Sequence, residues 1–454
     1  MTTSNAQGQS KQIPAPVSFR EAFRFWLKLG FISFGGPAGQ IAIMHEELVD
    51  RRRWISEKRF LHALNYCMVL PGPEAQQLAT YIGWLMHRLP GALAAGILFV
   101  APSLLILIAL SWIYIAYGNQ PLIAGIFYGI KPAVTAIVLQ AAVRIGSRTL
   151  KNRLLWAIAI TAFIAIFVLQ IPFPAIVLCA ALIGVIGGRV SPGYFRQQSA
   201  HSAHASHTLR ALIDDDTPTP AHARFNYRGL GKLIIIGLLL WIIPMSALSL
   251  YYGWDGMPTQ LGWFFTKAAW LTFGGAYAVL PYVYQGAVIN YGWLSATQMI
   301  DGLALGETTP GPLIMVVSFV GFIAGYSHPL SDNLFISGAF AATLVTYFTF
   351  LPSFLLILGG APLIESTHND LKFTAPLTAI TAAVVGVIVN LACFFTYHVW
   401  WPKGFNATLD FAGIDFAACA ISIVAAIALL RYKLNVIAVL SACALIGLLW
   451  SFIR

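Results

Sequence analysis

Two Pro-Gly-Pro triplets (Pro71-Gly72-Pro73 and Pro310-Gly311-Pro312) and two Phe-Gly-Gly triplets (Phe34-Gly35-Gly36 and Phe273-Gly274-Gly275) interrupt otherwise apolar sequence. Glycine pairs and proline break a helix. Where a helix restarts after such a break, its first N–H groups are free and its end carries partial positive charge, a setting suited to an anion. Pro73 and Pro312 suit the first positions of a restarting helix. Polar donors stand beside the breaks: Gln40 after the first FGG, Gln76 and Gln77 after the first PGP, Thr308 and Thr309 before the second. Lys28 and Lys267 each lie six residues before a Phe-Gly-Gly, as two cations that would draw an anion in. The plainer reading gives glycine and proline to close packing and kinking, and the lysines to snorkelling at the interface. Lys28 shares a stripe with Arg20 and Arg24, which favours snorkelling there, whereas Lys267 has no cation near it. Three carboxylates accompany the breaks. Glu74, in the first turn after a PGP, would repel an anion if ionised, so it reads as a helix cap or a proton carrier. Asp301 and Glu307 precede the other PGP and read either as proton-coupling groups or as structural partners of a nearby cation.

The elements that hold these residues are membrane helices. The chain has 454 residues, 58% hydrophobic and 10% charged, against about 25% charged in an ordinary soluble domain. Runs such as 156–173 and 233–250 contain no charge and meet the roughly 20 residues a spanning helix needs. They lack the strict alternation of an outer-membrane barrel strand. The net charge of +10 would point to nucleic acid in a soluble protein; here lysine and arginine in cytoplasmic loops account for it. Residues 1–19 have no apolar core and read as a cytoplasmic tail without a cleaved signal. The five cysteines form no CxxC pair and read as small core residues.

A repeat organises the breaks. Lys28, Phe34, Trp54 and Pro71 recur as Lys267, Phe273, Trp293 and Pro310, all at one constant offset in the numbering. Weaker echoes follow, Ala101-Pro102-Ser103 with Leu351-Pro352-Ser353 and Val134–Ile137 with Leu377–Ile380. The expected organisation is a first transporter repeat over 20–190, a polar His-rich linker over 191–228, a linking transmembrane helix over 229–252 and a second repeat over 258–454. Residues 20–189 carry 15 Lys and Arg and residues 262–454 carry six. The loop before Trp54 reads DRRR, while its counterpart before Trp293 reads INYG. By the positive-inside rule the two copies face opposite sides of the membrane, and the linking helix supplies the odd crossing. The fold class expected is therefore an all-α polytopic membrane protein of two inverted-topology repeats, a design of secondary transporters. It has broken or re-entrant helices at the FGG and PGP motifs and about 13 hydrophobic segments. If the break segments are re-entrant, nine spans remain, and the Arg51–Arg53 cluster favours that arrangement. Four spans follow the breaks in each copy, near 91–117, 122–146, 153–170 and 173–189, then 332–358, 373–398, 411–430 and 434–453. Arg144 and Arg148 read as anchors at the cytoplasmic end of a span. In the linker, His201, His204 and His207 and the Asp214–Asp216 run read as a solvated flexible segment rather than a metal site.

These residues resemble the chromate ion transporter family. The likeness rests on FGGPAGQIAIMHEELVDRRRWISEKRF, on LPGPEAQQLATYIGW with APS, and in the second half on FGGAYAVLPYV, YGWL and ALGETTPGPLIMVVSFVGF with LPS. Long members of that family are two fused, oppositely oriented halves. The resemblance implies export of chromate across the bacterial cytoplasmic membrane, hence chromate resistance, with sulfate as a related oxyanion and the FGGP and PGP motifs as the important positions. Ala276 stands where the first copy has Pro37, so the two turns need not be equivalent. Uphill export requires a coupling proton or a counter-anion. No Walker A, GxGxxG, HExxH or GxSxG motif occurs, so neither enzymatic activity nor a cofactor or metal is expected. The alternatives are an anion channel or sulfate permease on the same repeat, and a sensory protein whose linker recruits a partner. Assembly as a homodimer is left open.

Overall fold

A computed structural model describes residues 15–34, 36–118, 120–190, 195, 210–214, 216–218, 220–366, 374–402 and 413–453. Gly35, His201, His204, His207 and Asp215 lie outside the described residues. Among those described, all regular structure is helical apart from one isolated bridge, Ile55 to Ile213. The first half holds α1 (Phe19–Ile32), α2 (Gly36–His45), α3 (Glu57–Cys67), α4 (Glu74–Tyr117), α5 (Pro121–Thr149), α6 (Arg153–Phe167) and α7 (Phe173–Val190). After α8 (Tyr227–Tyr252) come α9 (Met257–Trp270), α10 (Ala276–Tyr284), α11 (Ala296–Thr308), α12 (Val316–Ser327), α13 (Leu334–Ser366), α14 (Thr374–Trp400), α15 (Phe416–Leu430) and α16 (Val436–Ile453). Among the described residues six helices, α4, α5, α7, α8, α13 and α14, are long and apolar enough to cross a membrane by length and composition. The chain is a multi-pass membrane protein.

Local chemistry sets the helix ends. Ser56 and Ser295, equivalent positions of the repeat, cap α3 and α11 through their hydroxyls, which accept from the N–H of Arg59 and Gln298. α2 and α10 each run on into a π-helical turn, Glu46–Arg51 and Gln285–Asn290. Both turns close in one way: Trp54 N–H donates to Leu48 O at 2.7 Å and Trp293 N–H to Ala287 O at 2.8 Å. In the charged copy, Arg51 reaches Glu46 at 2.7 Å and Glu47 at 2.9 Å, and Arg52 reaches Glu47 at 3.2 Å. Its 44 residues would make α4 about 66 Å long if straight, roughly twice the hydrocarbon core. His87 and Arg88 leave helical geometry and divide it into two arms, with Pro90 early in the second arm, where proline is tolerated.

The helices interlock across the halves. α5 and α14 pack against each other at the centre; α15 and α16 of the second half pack on α5, and α6 and α7 of the first half pack on α14. Small residues let these backbones close up: a Cβ on Gly129 would fall 1.9 Å from Cys443 O, and one on Gly386 would fall 2.0 Å from Ala159 O. α1 lies along α4 and α9 along α13.

Two expectations change. α13 runs to Ser366 rather than stopping near 358, because its end is held: the Tyr81 hydroxyl donates to Glu365, and Arg59 stands 3.8 Å from the same carboxylate. The described part of the linker is docked, not solvated. Leu212 and Ile213 donate to Arg53 O and Trp54 O, Arg59 Nη2 donates to Thr217 O at 2.6 Å, and Ile213 and Ala223 join the core around α1, α3 and α4. Of the cysteines, Cys67 and Cys443 are buried, while Cys179 and Cys393 are exposed.

Candidate functional site

The four breaks meet in pairs, each pair drawn from both halves. Gly72 N–H, within the first PGP, donates to Thr272 O, the residue before the second FGG, at 2.8 Å. Gly311 N–H, within the second PGP, donates to Ser33 O, the residue before the first FGG, also at 2.8 Å. The two donors are equivalent positions of the repeat, and so are the two acceptors. Backbone freed from a helix at membrane depth must be satisfied by protein, and here each half satisfies the other. Ser33 and Thr272 each close their own helix end, donating to Leu29 O at 2.6 Å and Ala268 O at 2.7 Å. Gly72 packs against Ser353 and Gly311 against Ser103, so the APS and LPS echoes face the opposite half's break.

The junction of the second FGG with the first PGP carries the ionisable groups. α10 starts at Ala276, with Gly275 before it at φ 98°, and the Ala278 N–H of its first turn donates to Gly275 O at 3.1 Å. The Glu74 Oε1 lies 3.9 Å from where a Cβ on Gly275 would stand, and Thr381 Oγ1 of α14 lies 3.5 Å from the same point on Gly274. Glu74 is half-buried. On α10 itself, the Tyr277 hydroxyl donates to the Glu307 carboxylate. Arg144 and Arg148 stand near the C-terminal end of α5. Both arginines are exposed.

The other junction is neutral. At the repeat positions equivalent to Glu74 and Glu307 stand Leu313 and Met68. Gln40 fills this junction, its Nε2 donating to Gly311 O at 2.6 Å. Phe34, Gly36 and Pro37 are half-buried, as are Phe273 and Gly274.

The remaining candidates fall as follows. Gln77 Nε2 donates to Pro71 O at 2.8 Å, and Gln76 accepts from Ser353 Oγ at 2.8 Å. Thr308 and Thr309 turn back on their own helix, Thr309 Oγ1 to Leu305 O at 2.6 Å and Thr308 Oγ1 to Leu305 O at 3.0 Å, so neither hydroxyl proton is free. Pro310 and Pro312 flank Gly311 within the buried break. Asp301 pairs with Lys131 at 3.3 Å and accepts from Tyr114 at 2.8 Å, a structural pair with a cation. Lys28 is exposed on α1, and Lys267 lies with its Nζ over the Trp263 ring, 5.4 Å from the centroid. Among the described residues no cluster of His, Cys, Asp or Glu could hold a metal.

A family model described as chromate transporter matches residues 20–185 and 259–448, two regions whose first residues are equivalent positions of the repeat. The chain belongs to the chromate transporter family. The chromate transport protein of Cupriavidus metallidurans is 28% identical over 433 residues, covering 95% of this chain and 93% of that one. The chromate transport protein of Pseudomonas aeruginosa is 32% identical over 388 residues, covering 84% and 81%. An uncharacterised transporter of Methanocaldococcus jannaschii is 26% identical, covering 84% and 85%. No solved structure matches. The two regions of this chromate transporter-family chain are the halves whose breaks exchange hydrogen bonds.

Proposed function

We propose that this chain is a secondary active transporter that exports chromate across the bacterial cytoplasmic membrane, with sulfate as a competing oxyanion. The observation that carries the reading is the exchanged pair of backbone bonds, Gly72 to Thr272 and Gly311 to Ser33. They support two oppositely oriented repeats, each giving a Phe-Gly-Gly and a Pro-Gly-Pro segment to a shared centre. α1 and α9, at 14 residues each, reach about 21 Å, a length suited to hairpins that end at mid-membrane. With those hairpins and the shorter α6, α15 and α16, the fold is about 13 hydrophobic segments. Phe34, Gly36, Pro37 and Phe273 to Gly275 then form the walls of the site, with Gln40, Gln76, Gln77 and the Pro-Gly-Pro backbones bracing them.

Chromate and sulfate are both tetrahedral dianions, and helix N-termini with a cation do not readily separate them. The Glu74 and Glu307 carboxylates fit a proton-coupled cycle better than a passive pore. A chromate-sensitive bacterium expressing the chain is expected to accumulate severalfold less chromate than cells without it, and excess sulfate should reduce the difference. Equal accumulation, with the protein present in the membrane, contradicts the reading.

A further inference from the structure

We propose that the kink of α4 binds the phosphate headgroup of an anionic phospholipid, with the linker forming the opposite wall of the site. This site is independent of which oxyanion the protein carries. An open cleft of about 610 Å³ lies where α4 leaves helical geometry. Its walls come from three parts of the chain: Phe19 of α1, His87, Arg88 and Pro90 of α4, and Pro220 and His222 of the linker. Arg88 is exposed and holds a left-handed backbone at φ 55°, a strained conformation kept only where the surroundings hold it. His87 Nε2 donates to Val17 O at 2.9 Å, and its buried Nδ1 has no partner among the described residues. His222 Nε2 donates to Trp84 O at 3.3 Å, which brings the linker to α4. The residues lining the cleft include an arginine and two histidines and no carboxylate. That is the charge of an anion site, and a guanidinium is well suited to phosphate.

The helices beneath the cleft favour a lipid over a free phosphate. α1 lies along α4, and the two run the same way. At one end the Phe19 ring is 5.7 Å from the His87 ring; further on, a Cβ on Gly30 would fall 2.1 Å from Leu98 O. Each helix carries an exposed apolar stripe at helical spacing that starts at the cleft, Phe19, Phe23 and Leu27 on α1 and Leu89, Leu93 and Ile97 on α4. Acyl chains laid along these stripes leave the phosphate at Arg88. Arg20 and Arg24 stand exposed in the first two turns of α1, at the same end. Basic residues above an apolar membrane surface attract anionic headgroups. The repeat positions equivalent to Arg20 and Arg24 hold Thr259 and Trp263, so the second half does not repeat this basic character. A headgroup seated between Arg88 and His222 ties the linker to the kink.

Native mass spectrometry of the delipidated full chain tests this, with titration by phosphatidylglycerol, by phosphatidylcholine of the same acyl chains and by soluble glycerol phosphate. Phosphatidylglycerol is expected to bind about tenfold more tightly than phosphatidylcholine, and glycerol phosphate far more weakly than either. Arg88→Gly removes the cation and suits the left-handed backbone. It should keep the wild-type melting temperature and reduce the preference severalfold. His222→Gln should lose part of the preference. Arg153, exposed at the start of α6, is the control, and Arg153→Gln should keep the preference in full. A wild type without the preference overturns the proposal. So does a preference retained in full by folded Arg88→Gly or His222→Gln, or one lost equally in Arg153→Gln. Glycerol phosphate bound as tightly as the lipid would make the cleft a free-phosphate site and overturn its assignment to lipid.

Discussion

Gly311→Val and Gly72→Val are each expected to abolish chromate transport and to lower the yield of folded protein. Both glycines have a left-handed backbone, with φ of 103° and 124°, which costs an L-residue about 1–2 kcal/mol. Both are also packed. A Cβ on Gly311 would meet Ser103 Cβ at 2.8 Å, and one on Gly72 would meet Gln77 Nε2 at 2.7 Å and Ser353 Oγ at 2.9 Å. Overpacking of this kind adds about 1–3 kcal/mol, and moving the loop aside forfeits the bond to Ser33 or Thr272, worth about 1 kcal/mol. The sum rivals much of a domain's net stability. Gly36 is the control: its φ is 69°, but no atom lies within 4 Å of its would-be Cβ. Gly36→Ala should therefore fold with a yield near that of the wild type, at the conformational cost alone. Thermal melting and chromate uptake of the three variants check this; an active, stable Gly311→Val would show that the crossed loops are not structural.

Glu365→Ala is expected to destabilise the protein by about 3–5 kcal/mol, the usual effect of removing one partner from a buried ion pair. Glu365 is buried, accepts from Tyr81 and faces Arg59, which in turn holds the linker through Thr217 O. Loss of the carboxylate takes a buried acceptor from the Tyr81 hydroxyl and the counter-charge from Arg59, and so loosens the linker's anchor. Glu365→Gln keeps an acceptor for Tyr81 and should lose less. A lower melting temperature should accompany faster proteolytic cleavage between residues 210 and 223. An unchanged melting temperature with unchanged cleavage would mean that the linker is held by other contacts.

Much of the architecture was legible because it rests on local chemistry. Break residues, capping serines and apolar runs are visible one window at a time, and the constant offset between the copies carried over to the caps, the π-helical turns and the exchanged bonds. What was not legible depends on distant packing. Nothing in the sequence near Thr272 names Gly72, in the other half, as the donor to its carbonyl. The lysines before the breaks looked suitable from spacing alone, but α9 turns Lys267 onto Trp263. The linker's composition is that of a solvated segment, yet Ile213 and Ala223 are apolar enough to dock where Trp54 and α4 leave a surface.

The most direct test of the account is chromate uptake by the purified chain in proteoliposomes, with an imposed membrane potential and the internal concentration measured at steady state. Coupled transport predicts that chromate accumulates above the external concentration when the potential attracts anions inward, that a proton gradient shifts the level reached, and that Gly311→Val vesicles take up none. A steady state that follows the potential alone, indifferent to any proton gradient, would mark the protein as a channel and contradict the account.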